Sequence, residues 1–160
     1  MWGILAYVDL DGFKQINDRH GHAAGDEALQ AFASGVRDLI RSDDVFARIG
    51  GDEFLLFLPV DSEAEGYELA TTLHLRMNCL QTTFALGCSI GALVLDLSET
   101  AIHKDHVSLA DRLMYEAKNE GGAIWIRTAG VPEDGGWTGP GAPLDHREVF
   151  GVIPAPSALH

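Results

Sequence analysis

Apolar positions change period several times along the first 127 residues, and each change marks an element. Ile4 to Val8 is a short continuous apolar run, which suits a buried strand. Leu29, Phe32, Val36 and Leu39 then recur at steps of three and four, predicting an amphipathic helix over residues 25–40. Val45–Ile49 and Phe54–Leu58 read as two strands joined by Gly50-Gly51-Asp52-Glu53, a hairpin whose glycines supply the positive φ of a tight reversal. Ser62-Glu63-Ala64-Glu65 matches a capping box, and Leu69, Leu73, Met77 and Leu80 continue the apolar face of its helix. Phe84, Leu86, Cys88, Ile90, Ala92 and Val94 alternate, predicting one long strand over 84–95. Val107, Ala110, Leu113 and Ala117 mark a last helix, and Ile124-Trp125-Ile126 a last short strand. The resulting order, β-α-α-β-β-α-β-α-β, predicts an α/β (α+β) domain with helices covering a mainly antiparallel sheet.

Composition sets the limits of that domain. Five of the six prolines and six of the eighteen glycines fall in 128–160, where no period is visible. Residues 1–127 therefore read as the domain and 128–160 as a Gly/Pro-rich flexible tail. The net charge is −13, so the chain lacks the positive field of nonspecific nucleic-acid binding, and its three tryptophans are not interleaved with basic residues. Any phosphorylated ligand must be met by local cations, a metal ion or helix N-termini. Cys79 and Cys88 form no disulfide framework and read as small buried side chains in a reducing compartment. The apolar N-terminus stops at Asp9, and no run approaches bilayer length, so the expected location is the cytoplasm.

Two acidic sites fall at strand ends: Asp9 with Asp11, and Asp52 with Glu53. Each alone reads equally well as an exposed turn. Two neighbouring strands ending in carboxylates at one edge can also hold a divalent ion, and Mg²⁺ accepts a couple of carboxylates, waters and phosphate oxygens. Such a site suits phosphoryl transfer. Between the acids, the turn into the next helix presents backbone N–H groups, and Lys14 adds a cation, a combination that can cradle phosphates. Asn17 and Asp26 read either as helix caps or as groups that recognise guanine through its N1–H and 2-amino donors. His20 and His22 lack a third ligand and do not make a metal site, and Tyr115 reads as core.

Gly50-Gly51-Asp52-Glu53-Phe54 resembles the signature of the GGDEF domains, the diguanylate cyclases. The resemblance extends in order and spacing to Asp9–Asn17, Gly21–Asp26, Ser89–Gly91 and Ala110–Lys118, and so covers roughly residues 3–127. It implies a fold similar to the polymerase palm and the class III nucleotidyl cyclases. It also implies condensation of two GTP molecules to cyclic di-GMP and pyrophosphate, dependent on Mg²⁺ (or Mn²⁺), with two subunits meeting as a homodimer. The metal ligands implied are Asp9, the Leu10 carbonyl, Asp52 and Glu53, with Asp52, Glu53 and Lys14 as catalytic residues. Glu53 resembles either a second-metal ligand or the group that helps deprotonate the 3′-hydroxyl. Phe13, Lys14 and Lys118 resemble phosphate contacts, and Asn17 and Asp26 guanine contacts. Arg41-Ser42-Asp43-Asp44 fits the family's Arg-x-x-Asp motif, implying an inhibitory cyclic di-GMP site at Arg41 and Asp44; a solvated helix end is the plainer reading.

Two departures define the alternative. Gly121-Gly122-Ala123 stands where the family has a phosphate-binding arginine. The chain also starts in its first strand, without the usual N-terminal helix, as expected of a piece of a longer protein or a shortened variant. A sensory or effector domain outside this chain is therefore expected. These features leave open a catalytically weak or inactive GGDEF domain that acts as a cyclic di-GMP receptor or a GTP-binding regulatory module.

Overall fold

The computed structural model describes residues 1–80, 84 and 86–129. Five strands and four helices follow in the order β1 (Trp2–Leu10), α1 (Phe13–His20), α2 (His22–Leu39), β2 (Val45–Gly50), β3 (Glu53–Val60), α3 (Glu63–Asn78), β4 (Cys88–Asp96), α4 (Lys104–Asn119) and β5 (Ile124–Ala129). The expected element order and mixed α/β class are borne out. The sheet order is β2-β3-β1-β4-β5. Every pairing is antiparallel except β4 with β5, which run parallel because α4 carries the chain back across the sheet. Of the expected tail, only Thr128 and Ala129 lie among the described residues, as the end of β5.

Helices cover both faces. Ile4, Ala6, Val8 and Leu10 of β1 pack into one core with α1, α2 and α3. Leu5 and Tyr7 point the other way and pack with Leu93 and Leu95 of β4 against Leu109, Leu113 and Met114 of α4. This explains why the central strands read as apolar runs: β1 and β4 are buried on both faces.

The alternation over 84–95 misleads at its start. The strand begins at Cys88, and Phe84 lies in a bend. Its intervening residues are buried as well, because α4 seats directly on Gly91, where a Cβ would overlap the Ala110 carbonyl oxygen and the Met114 amide nitrogen. Tyr115, expected in the core, projects from the outer side of α4 and is 63% exposed. Cys88 is buried as expected, whereas Cys79, just past α3, is exposed. The capping box of α3 is half kept. Ser62 Oγ accepts from Glu65 N at 3.1 Å, but the Glu65 carboxylate accepts from Asp61 N at 2.7 Å.

Candidate active site

The end of β1 and the β2–β3 hairpin meet at one edge of the sheet. Asp9 pairs in register with Glu53 across β1 and β3. Leu10 N donates to the Asp52 carbonyl at 3.2 Å, which ties the strand end to the hairpin tip. Gly51, with φ +52°, makes the reversal, and Arg48 Nε locks it by donating to the Gly51 carbonyl at 2.8 Å. The sequence alone could not establish this meeting, because β1 and β3 are separated by two helices and a strand.

The acids at this edge feel one another. Asp9 is 7% exposed, and burial together with the Asp52 charge lifts its carboxyl to about 6, against an opposing pull from Lys118. Asp11 is raised too, by burial and by Asp52, although Ser89 Oγ donates to it at 2.8 Å. Lys118 reaches back from α4 and sets its ammonium 3.0 Å from Asp9 Oδ1. Burial alone would lower that lysine, but Asp9, Asp52 and Asp11 together outweigh it and raise it. Asp9 Oδ1 is buried and accepts no well-directed hydrogen bond, so this ion pair is its main compensation.

Glu53 is held differently. The Tyr7 hydroxyl donates to Glu53 Oε2 at 2.7 Å. Burial and then that bond push the phenol well above its ordinary range. Asp111 of α4 faces the same glutamate, and burial followed by the Glu53 charge raises its carboxyl. Tyr7 was not singled out from the sequence, and Ser89 and Asp111 entered only as members of the motifs at Ser89–Gly91 and Ala110–Lys118, without a site role. The available signals were a phenol two residues before Asp9 on the same strand face, and an aspartate seven residues before Lys118 on one helix face.

Among the described residues, no group of three or more His, Cys, Asp or Glu side chains is disposed as a metal cage. Two carboxylates and a backbone carbonyl, completed by waters and phosphate oxygens, nevertheless fit Mg²⁺, which seldom takes an all-protein cage. The buried and under-compensated Asp9 Oδ1 is the observation that fits such an ion.

The expected nucleotide contacts lie on α1 and α2. Gly12, with φ +77°, is the N-cap of α1, and its first turn has neither a side-chain cap nor an acidic residue. The first-turn N–H groups beside Phe13 and the exposed Lys14 are therefore not satisfied by a capping side chain. Asn17 and Asp26 are not caps. They lie inside α1 and α2, whose N-caps are Gly12 and Gly21. Gly25 lets the two helices close, since a Cβ there would collide with Asn17 Oδ1. Asn17 thus sits against the turn that carries the exposed Asp26. Beside the hairpin, a groove of about 230 Å³ between α2 and the sheet is lined by Leu29, Ala33, Phe46 and Phe54, with Arg37 and Arg48.

Arg41 and Asp44 form a turn beyond α2. Asp44 Oδ2 accepts from Arg41 N at 2.7 Å, and Asp44 N donates to the Arg41 carbonyl at 3.2 Å. The Arg41 guanidinium lies 3.8 Å from Glu65, an exposed pair of little energetic weight. At the end of α4, Gly121 and Gly122 have φ +80° and +87°, so the return to β5 is a turn built for glycine. His20 packs against Phe84, with ring centroids 5.0 Å apart and planes tilted by 41°.

The family profile described as "Diguanylate cyclase, GGDEF domain" matches residues 3–123, and the chain belongs to this family. It is 37% identical over 122 residues to the diguanylate cyclase DgcS of Shewanella oneidensis, which covers 73% of this chain and 39% of that protein. The fold is similar to the isolated GGDEF domain of YfiN (TpbB) from Pseudomonas aeruginosa, with a TM-score of 0.68, 31% identity, and coverage of 81% of this chain and 78% of that one. It is also similar to a microbial GGDEF domain whose structure describes its interaction with cyclic di-GMP, with a TM-score of 0.63, 32% identity and 78% coverage of each chain. The chain spans 39% or less of the length of the first curated relatives it matches. No helix among the described residues is long and apolar enough to cross a membrane.

Proposed function

We propose that this domain is a diguanylate cyclase that condenses two GTP molecules to cyclic di-GMP and two pyrophosphates. The carrying observation is the convergence of Asp9, Asp52 and Glu53 at one sheet edge beside Lys118 and the uncapped N-terminus of α1. In each half-reaction a 3′-hydroxyl oxygen bonds to the α-phosphorus of the opposing GTP, and the bond from that phosphorus to the pyrophosphate oxygen breaks. One GTP per subunit and a face-to-face homodimer supply this geometry. A bound Mg²⁺ or Mn²⁺ would neutralise phosphate charge and polarise the reacting oxygens. Asp9, the Leu10 carbonyl, Asp52 and Glu53 would hold it.

The protein's own residues bind and orient. Phe13 N–H, Lys14 and Lys118 receive the phosphates, which requires the Lys118 ammonium to leave Asp9. The Asp26 carboxylate accepts from the guanine N1–H and 2-amino donors, and the Asn17 amide contacts the same base. Glu53 lies close to where the hydroxyl proton departs. Orientation and charge stabilisation thus supply most of the acceleration. Arg41 and Asp44 bind the product and restrain the enzyme, with the Arg41–Glu65 contact giving way.

A second reading, a cyclic di-GMP receptor or GTP-binding regulatory module with little turnover, draws on one observation. The α4–β5 return is a glycine turn with no cation for the phosphates. Incubation with GTP and Mg²⁺ followed by nucleotide chromatography separates the two. Cyclic di-GMP formed by the wild type and lost in Asp52→Ala supports the cyclase. Retained product binding without turnover supports the receptor.

A further inference from the structure

We propose that Tyr7 is a positioning residue that fixes the Glu53 carboxylate at the hairpin tip. This inference rests on the cyclase reading above. Tyr7 lies on the α4 face of β1, in a buried apolar layer that includes Leu5, Leu93, Leu95 and Leu113. A leucine would fill that layer. Among the described residues the hydroxyl makes one bond, 2.7 Å to Glu53 Oε2, across the β1–β3 ladder. That donor reaches Glu53 in acidic surroundings: its register partner is Asp9, and the Asp111 carboxyl of α4 is raised in part by the Glu53 charge. The two strand-end acids are thus held in opposite ways. Asp9 is held by the Lys118 ammonium, a cation that competes with an incoming metal for the same oxygen. Glu53 is held by a neutral donor that commits Oε2 and, among the described residues, leaves Oε1 unbonded. A neutral anchor sets direction without cancelling the charge that a metal ion or a departing proton would meet.

Tyr7→Phe removes only the hydroxyl. Mn²⁺ is the probe ion, with 3′-deoxy-GTP as a nucleotide that cannot cyclise, and free Mn²⁺ is read by electron paramagnetic resonance. Turnover of GTP is measured in parallel. Losing a hydrogen bond to a charged group should lower Mn²⁺ affinity about tenfold if Glu53 is a ligand. If Glu53 instead takes the hydroxyl proton, kcat should fall about tenfold with KM unchanged. In a Glu53→Gln background the added Tyr7→Phe change should cost less than about twofold. Wild-type values of both quantities in Tyr7→Phe overturn the proposal, and so does an equal loss in both backgrounds, which would make Tyr7 merely structural. If Mn²⁺ and 3′-deoxy-GTP bind but GTP gives no cyclic product, the cyclase reading fails and the effect of Tyr7 on Mn²⁺ still decides this inference. A wild type that binds no Mn²⁺ overturns both.

Discussion

Gly91→Ala tests whether α4, which carries Lys118 and Asp111, is seated as described. The added methyl would overlap backbone atoms of Ala110 and Met114 and stand 2.8 Å from the Leu113 carbonyl carbon. Backbone cannot swing aside as a side-chain tip can. Restoring 3.4 Å, the near edge of ordinary contact, to the Leu113 carbon alone requires α4 to withdraw by about 0.6 Å, and the two closer clashes require more. That withdrawal loosens the packing of Leu109, Leu113 and Met114 on Leu93 and Leu95. Overpacking of this kind costs about 3 kcal/mol or more. With a urea m-value of about 2 kcal/mol/M, the midpoint should fall by about 1.5 M. Gly50→Ala is the control, since nothing lies within 4 Å of its Cβ and its φ is not positive; it should stay within about 0.5 kcal/mol of wild type. Urea unfolding followed by circular dichroism reads both. A wild-type midpoint for Gly91→Ala would refute the close seating of α4 on β4.

His74 gives a pH-dependent prediction. It is fully buried on α3, both ring nitrogens lack well-formed hydrogen bonds, and burial lowers it below the ordinary imidazole value. Its folded-state value lies below its unfolded one, so the stability it allows is present above about pH 6.5 and is lost as pH falls toward the lower folded value. His74→Leu should flatten that acid loss, seen as urea midpoints at pH 7.5 and 5.0 that differ less than in wild type; an identical difference would count against a buried neutral imidazole. Asp26→Ser should relax the preference for GTP over ATP by about tenfold or more in competition binding, and an unchanged ratio would remove guanine reading from this position. Arg41→Ala should abolish calorimetric cyclic di-GMP binding and relieve product inhibition, whereas undiminished binding would place the product elsewhere.

Much of the fold was legible because the core obeys simple periods. Leu29, Phe32 and Val36 face inward at helical spacing, and Phe54, Leu56 and Leu58 alternate inward on β3. The reading failed where a second layer hid the period. On β4, Ser89, Gly91, Leu93 and Leu95 are as buried as their neighbours because α4 covers that face, so alternation carried over into the irregular segment before Cys88. Tyr115 failed for the opposite reason: its helix buries a narrow stripe through Leu113, Met114 and Ala117, and the tyrosine falls beside it. Asn17 and Asp26 suggested caps by residue type, but glycines at 12 and 21 take the N-cap positions. At the candidate site, the strand-end acids were visible as residue types in sequence. What sequence could not show was that Tyr7 crosses the ladder to Glu53, or that Lys118 returns from α4 to Asp9, because both contacts depend on register and on which sheet face a helix covers.

In the cyclase reading, the end of β1 and the hairpin tip share one divalent cation beneath a triphosphate. Anomalous scattering from crystals grown with Mn²⁺ and 3′-deoxy-GTP tests it most directly. The expected result is a manganese peak beside the Asp9 and Asp52 carboxylates, with the Lys118 ammonium moved onto phosphate oxygens. Bound nucleotide with no peak there, and Lys118 still paired to Asp9, would contradict it.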